Sequence, residues 1–133
     1  MATVEKNQIK EAQRYLDNAR KILTENAGKY GDYYSDPKYV KMAGNTAWNG
    51  VLVALDAVTD VRKNLKSRQR PDFKDYQQAA AKKDGRINKK LVTAYDSLHK
   101  VLGYDGNLRV PIVMDALKQG DIIINWASKH YSE

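Results

Sequence analysis

The stretch PKYVKMAGNTAWNGVLVALDAVTDVRKNLK, residues 37–66, decides the fold class of this chain. Its apolar residues recur at steps of three or four, at Val40, Ala43, Ala47, Val51, Ala54, Val58, Val61 and Leu65. That spacing keeps one face of an α-helix apolar over roughly eight turns. Pro37 fits the first turn, where its missing N–H would have no partner. The segment therefore predicts a long helix with one face in the core.

The same helix carries unusually small residues. Gly44 and Gly50 each cost about 1 kcal/mol relative to Ala inside a helix, and Ala43, Ala47 and Ala54 lie near them. Small side chains allow a neighbouring helix to approach closely. The small residues therefore indicate either a surface for close helix packing or a slot for a ligand.

Three further long segments have helical spacing. The segment 3–28 has a stripe formed by Ile9, Ala12, Leu16, Ala19 and Leu23, and similar stripes run through 86–102 and 109–130. A shorter helical piece is expected over 73–83, after the break at Pro71. Four long helices joined by short loops favour antiparallel neighbours. We therefore predict one all-α domain over residues 1–133, an up-down-up-down antiparallel four-helix bundle with an extra short helix between helices 2 and 3.

Composition excludes several classes of protein. The chain has 133 residues, enough for one domain with a core, and it has no cysteine, so disulfides and thiolate metal sites are excluded. No apolar run approaches the length of a membrane span, and the first residues have no apolar segment of the kind found in secretory signals. These features favour a cytoplasmic protein without a membrane partner.

Catalytic and metal-binding patterns are weak. Asp96 and His99 form a single D-x-x-H, whereas carboxylate-bridged di-iron bundles need two E-x-x-H motifs and two further Glu. Asp56 and Asp60 lie one helical turn apart, a spacing that is also common on solvated faces. No Gly-rich phosphate loop and no nucleophile elbow occurs in the sequence. The sequence therefore predicts no metal, no cofactor and no enzymatic activity.

Positive charge is concentrated in one part of the chain. The formal net charge is +7, and residues 62–90 hold eleven Lys/Arg and three Asp, while the rest holds twelve basic and thirteen acidic residues. All the excess positive charge therefore lies in this segment. Its candidate nucleic-acid-binding residues are Arg62, Lys63, Lys66, Arg68, Arg70, Lys82, Lys83, Arg86, Lys89 and Lys90.

These cations form two clusters, 62–70 and 82–90. In an antiparallel bundle the end of helix 2 and the start of helix 3 lie at the same end, so we expect the clusters to be spatial neighbours. Such a surface attracts polyanions such as RNA or DNA, and Phe73 and Tyr76 between the clusters are candidates for stacking on bases. The alternative is a solubilising cap, since cations are also favoured near a helix C-terminus. A protein–protein interaction module without nucleic-acid binding is the other open function.

Two apolar features bear on self-association. The last helix has Ile122, Ile123 and Trp126 outside its main stripe, so it is either central in the fold or half of an oligomer interface. Four tyrosines, Tyr30, Tyr33, Tyr34 and Tyr39, lie within ten residues and either cover the end of the bundle or belong to an interface. We predict a homo-oligomer, with a dimer favoured.

Three stretches carry a resemblance to known families. They are the run of Ala12, Tyr15, Leu16, Ala19, Ile22 and Leu23, the segment AGNTAWNGVLVALDAV at 43–58, and AYDSLHKVLGYDG at 94–106. The chain resembles a small uncharacterised helical family of Bacteroidetes bacteria and, more loosely, HEPN-type bundles and the four-helix protein encoded in ribosomal RNA intervening sequences. The HEPN resemblance implies a nucleotide- or RNA-associated bundle, often dimeric. Catalytic HEPN ribonucleases carry Arg, four to six residues, then His; neither histidine here follows an Arg at that spacing, so no catalytic residue is transferred.

Overall fold

Helices make up most of the chain. The computed structural model describes residues 2–63, 65 and 69–131, with side chains from residue 7 onward. In chain order its elements are α1 (Ala2–Ile22), β1 (Lys29–Tyr30), β2 (Tyr33–Tyr34), α2 (Pro37–Val58), α3 (Phe73–Lys83), α4 (Asn88–Ala94) and α5 (Val110–His130). Two helices continue with π-helical hydrogen bonding, α1 over Leu23–Ala27 and α4 over Tyr95–Leu102. The predicted all-α class is confirmed, and α3 is the predicted short helix.

The predicted apolar stripes form the core. All five stripe residues of the first helix are buried, as are those of α2 from Val40 to Val58. The π-helical turn after α1 ends at Gly28, whose φ of +67° lies in the region that favours glycine at helix ends. The chain then forms a two-residue antiparallel hairpin, in which Lys29 pairs with Tyr34 and Tyr30 with Tyr33. This hairpin was not predicted, because strands of two residues show no alternating pattern.

The second helix ends earlier than predicted. It ends at Val58 instead of near residue 66, because Thr59 has extended backbone angles and donates hydrogen bonds to the carbonyl oxygen of Leu55. The Thr59 N–H and hydroxyl both donate to that oxygen, at 3.0 Å and 2.7 Å. Val61 is nevertheless buried, so the apolar spacing continues past the point where the helix stops. The predicted helix over 59–66 is therefore wrong within the described residues.

The small residues of α2 serve helix packing. A Cβ placed on Gly44 would lie 2.7 Å from the carbonyl oxygen of Leu98, and one on Gly50 would lie 3.0 Å from the carbonyl oxygen of Ala12. Backbone atoms of two neighbouring elements thus approach α2 at these glycines. The packing interpretation is confirmed, and the neighbouring helices occupy the space that a ligand slot would need.

The last helix occupies a central position. It packs against α1, α2, α4 and the π-helical segment after α4. Its buried residues are Val113, Ala116, Leu117, Gly120, Ile123, Ile124 and Ala127. Contact with several helices accounts for apolar residues on more than one face of α5. Met114 and Ile122 are the large apolar side chains of α5 that remain exposed.

No helix in the described ranges is both long enough and apolar enough to cross a membrane.

Candidate anion-binding surface

The first basic cluster lies where the chain leaves α2 and turns back. Arg62 donates from Nη2 to Asp56 Oδ2 at 3.3 Å, and Asp56 lies two residues before the end of α2. Farther along, the Phe73 ring lies 6.0 Å from the ring of Trp48, about three turns before that end. Phe73 therefore lies along the side of α2, three residues after Arg70. Lys66 and Arg68 lie outside the described residues.

The second basic cluster meets the end of α2. Lys82 and Lys83 form the last turn of α3, and Lys82 Nζ lies 3.7 Å from Asp60 Oδ2. An open cavity of about 460 Å³ lies between the ends of α2, α3 and α5, lined in part by Lys82, Lys83 and Asp60. Lys82 thus lies beside Asp60, two residues before Arg62, and the proximity of the rest of the two clusters stays a prediction.

Three of the predicted cations have carboxylate partners. Arg62 pairs with Asp56, Lys82 with Asp60, and Arg86 with Asp84 through its Nε at 3.1 Å. The cationic side chains of these pairs are all more than half exposed. Exposed ion pairs contribute only about 0–1 kcal/mol, so these cations can exchange a carboxylate for another anion at little cost.

Four other lysines carry uncompensated charge. Lys63, Lys83, Lys89 and Lys90 are exposed, and in the described part of the chain no carboxylate oxygen lies within 4.0 Å of their amino groups. We call these four side chains the lysine surface. Lys83 lies at a helix C-terminus, where a cation is favourable, whereas Lys89 and Lys90 lie in the first turn of α4, which has no acidic residue. Helix stabilisation therefore does not explain the position of Lys89 and Lys90.

The aromatic residues between the clusters are not free for base stacking. Tyr76 is only 3% exposed, and its hydroxyl donates to Asp56 Oδ1 at 3.0 Å. Burial, with a further contribution from the Asp56 charge, raises the pKa of Tyr76. The Phe73 ring stacks on Tyr95, with ring centroids 4.0 Å apart. The prediction of base stacking is therefore wrong for Tyr76. For Phe73, one face of the ring is already covered by Tyr95.

The two residues of the D-x-x-H pair have different neighbours. His99 stacks on Tyr95 at 5.1 Å, while Asp96 pairs with Lys100 at 3.6 Å. Within the described ranges, no group of three or more His, Cys, Asp or Glu residues could hold a metal ion. The i, i+4 spacing of Tyr95 and His99 is visible in the sequence and places both rings on one helical face. The stacking of Tyr95 on Phe73 joins two separate helices, so the sequence spacing does not predict it.

Asp84 joins the turn between α3 and α4 to the last helix. Its carboxylate accepts hydrogen bonds from the backbone N–H and Nε of Arg86, at 3.0 Å and 3.1 Å, and from Trp126 Nε1 at 3.2 Å. Hydrogen bonds from the backbone and the side chain of Arg86 are the main cause that lowers the pKa of Asp84 to about 2. The end of α5 is thereby tied to the turn between α3 and α4. Sequence spacing alone gives no signal for this contact.

Exposed tyrosines lie at the opposite end of α5. The hairpin contacts the start of α5 through a bridge between Tyr33 and Arg109, about 30 Å from the end of that helix. Tyr30 is 85% exposed, and Tyr104 in the preceding loop is 80% exposed. Tyr34 is buried, so the predicted tyrosine cluster is divided between the core and the surface.

The chain matches a family of helical proteins. The family model described as "Domain of unknown function (DUF5618)" matches residues 7–129. The chain belongs to this family. A solved structure, a protein of unknown function from Dyadobacter fermentans, is similar to the DUF5618 chain at 39% identity and a TM-score of 0.82, covering 93% of this chain and 96% of that one. No curated protein matches the DUF5618 chain described here.

The DUF5618 match covers most of the chain and confirms the predicted resemblance to a small helical family. The looser resemblance to HEPN-type bundles is tested by neither comparison and stays a prediction.

Proposed function

We propose that this DUF5618 protein is a non-enzymatic, cytoplasmic, HEPN-like four-helix bundle that self-associates and binds RNA or DNA through its lysine surface. The observation that carries the proposal is a group of four exposed lysines with no carboxylate partner among the described residues, Lys63, Lys83, Lys89 and Lys90. It lies where α2 and α3 end and α4 begins.

The positions of the helix ends support the bundle arrangement. A short connection joins α1 to α2, and the two helices pack together, which favours antiparallel directions. Trp126 near the end of α5 bonds to Asp84 just before α4, while Gly44 near the start of α2 meets Leu102 at the end of the α4 extension. These contacts support an up-down-up-down order, with α3 as the added helix.

Charge supplies the physical reason for nucleic-acid binding. A lysine that neutralises a phosphate releases a condensed counterion, and this release favours binding at low salt. From the slope expected for B-DNA, each such contact is worth roughly eightfold in affinity at 0.1 M salt. Two or more contacts from the lysine surface would therefore change affinity by at least about 60-fold. The partnered cations, such as Lys82 and Arg86, surround the same surface.

The experiment is fluorescence anisotropy with labelled single-stranded RNA and duplex DNA at fixed salt. The test variant replaces Lys63, Lys83, Lys89 and Lys90 with Gln. The matched control replaces Lys10, Lys21, Lys29 and Lys118 with Gln, four exposed lysines elsewhere that change the net charge equally. We expect the test variant to bind duplex DNA at least about 60-fold and single-stranded RNA at least about 25-fold more weakly, and the control to bind within a few-fold of the wild type. Equal losses of affinity in the two variants would show that binding depends on net charge alone and not on the lysine surface.

A protein–protein interaction module without nucleic-acid binding is the second candidate function. The exposed Tyr30, Tyr33 and Tyr104 favour it, because tyrosine is enriched at protein interfaces. We expect Tyr30→Ser with Tyr104→Ser to lower the mass measured by size-exclusion chromatography with light scattering, if this end mediates self-association. An unchanged mass in the variant would argue against an interface at this end. A monomeric wild type would refute self-association.

A further inference from the structure

An open cavity of about 670 Å³ lies between the second half of α1 and the first half of α5. Its apolar residues are Leu23, Tyr34, Met114 and Leu117. We call it the α1–α5 cavity. Its volume lies within the range of small-ligand sites, about 300–1,000 Å³. It is formed by elements that do not contribute to the lysine surface.

The walls of the α1–α5 cavity are fixed by hydrogen bonds. The Tyr34 N–H donates to the carbonyl of Leu108 at 2.8 Å, and the Val110 N–H donates to the carbonyl of Asp32 at 2.8 Å. The hairpin is thereby held against the start of α5. At another edge, α1 and α5 are joined by the ion pair of Arg20 with Asp121 at 2.5 Å. Backbone bonds and an ion pair thus define the cavity before any ligand binds.

The apolar part of the cavity is partly open to water. Leu23, Leu117 and Tyr34 are buried at its base, but Met114 is 52% exposed. An exposed methionine beside a buried apolar base offers adaptable surface to an aliphatic chain. Such a chain would remove the exposed side of Met114 from water, and this transfer is favourable.

Cations at the rim of the cavity favour a ligand that has an anionic group beside its aliphatic chain. Lys29 and Lys118 line the cavity, both are exposed, and among the described residues neither has a carboxylate partner within 4.0 Å. The Lys29 Nζ stands 5.8 Å from the centre of the Tyr34 ring, directly beside the apolar base. Arg20 is already paired with Asp121. Two exposed cations next to an apolar base complement an anion that carries an apolar body.

We propose that the α1–α5 cavity binds an organic anion with an aliphatic chain and a terminal carboxylate. The chain packs on Leu23, Leu117 and Met114, and the carboxylate lies between Lys29 and Lys118. This binding is separate from the proposed contact with nucleic acid.

The test uses decanoate as the probe and the full chain as the protein. Decanoate is titrated into protein labelled with ¹³C at the methionine methyl groups, and the neutral decanol is titrated in parallel. The chain has three methionines, so Met114 reports on the cavity and Met42, exposed on α2, serves as an internal control. We expect decanoate to shift the Met114 signal and leave Met42 unchanged, with decanol binding at least fivefold more weakly.

Two variants separate the roles of charge and apolar surface. Lys29→Gln with Lys118→Gln should abolish the preference for decanoate over decanol, while Lys10→Gln, at an exposed lysine elsewhere on α1, should preserve it. Met114→Asn should weaken both probes about fivefold or more, and Met42→Asn should weaken neither. All replaced side chains are exposed, and a thermal melt by circular dichroism checks that each variant folds.

Three results would overturn the proposal. The first is the absence of any decanoate-dependent shift at Met114, and the second is an unchanged decanoate preference in the double lysine variant. The third is a Met114 signal that moves with protein concentration before decanoate is added, because a second copy of the chain would then cover the cavity.

Discussion

Replacing Gly44 with Ala should destabilise the fold, although the same change usually stabilises a helix. A Cβ at this position would lie 2.5 Å from the Cβ of Leu102, and 2.7 Å from both the amide nitrogen of Gly103 and the carbonyl oxygen of Leu98. Real Cβ atoms essentially never approach other atoms within 3.0 Å. Two of these contacts are with backbone atoms, which no rotamer change can move away. The added methyl group must therefore separate α2 from the segment that follows α4.

The magnitude follows from two opposing effects. Helix propensity favours Ala over Gly by about 1 kcal/mol, whereas overpacking a close contact costs typically 1–3 kcal/mol and sometimes more. Because backbone atoms must move here, we expect the cost of overpacking to be about 3 kcal/mol or more. The free energy of unfolding should then fall by about 2 kcal/mol. For a domain of this size, this loss lowers Tm by about 4–8 °C.

The assay is urea and thermal unfolding followed by circular dichroism, with Gly85→Ala as the matched control. A Cβ on Gly85 would meet nothing within 4 Å, so Ala there should leave the free energy of unfolding unchanged or raise it by up to about 1 kcal/mol. A Gly44→Ala variant as stable as the wild type would contradict the close approach of α2 to the segment that follows α4.

Other local contacts give further predictions. Tyr76→Phe removes a hydrogen bond to the Asp56 carboxylate and should lower the free energy of unfolding by about 1–2 kcal/mol in urea melts; an unchanged midpoint would contradict that bond. Thr59→Val removes the hydroxyl that ends α2 and should cost about 1 kcal/mol, so equal stability would disprove its role. The pKa of Asp84, lowered to about 2 in the folded state, lies below its unfolded value near 3.9, so its ionised form stabilises the fold above about pH 4. Asp84→Asn should therefore be less stable than the wild type at pH 7, and the difference in urea midpoints should shrink as pH falls from 4 towards 2; a constant difference would contradict the shift.

Local sequence patterns predicted much of the helical structure. The regular stripe of α1 and the glycine at its end needed only spacing and backbone preference. The end of α2 was missed because Val61 continues the apolar spacing and is buried outside the helix. Periodicity reports which residues face the core, but it cannot separate a helix from a loop that packs on the same core.

The candidate surface was only partly predictable for the same reason. Counting charges identified Lys63, Lys83 and their neighbours, since the excess charge lies in one segment. The count could not show that Arg62 and Lys82 find carboxylates on α2 or just after it. It also could not show that Tyr76 is buried, because that depends on where α3 packs.

The most direct test of the central proposal is the salt dependence of RNA affinity, measured by anisotropy over a range of salt concentrations. For the wild type we expect log Kd to rise linearly with log salt concentration. Replacing Lys63, Lys83, Lys89 and Lys90 with Gln should reduce that slope by about 1.4 to 2.8, since each of two to four lost phosphate contacts removes roughly 0.7 for a single strand. The control at Lys10, Lys21, Lys29 and Lys118 should keep the wild-type slope. A wild-type affinity that does not vary with salt, or an unchanged slope in the lysine-surface variant, would contradict the account.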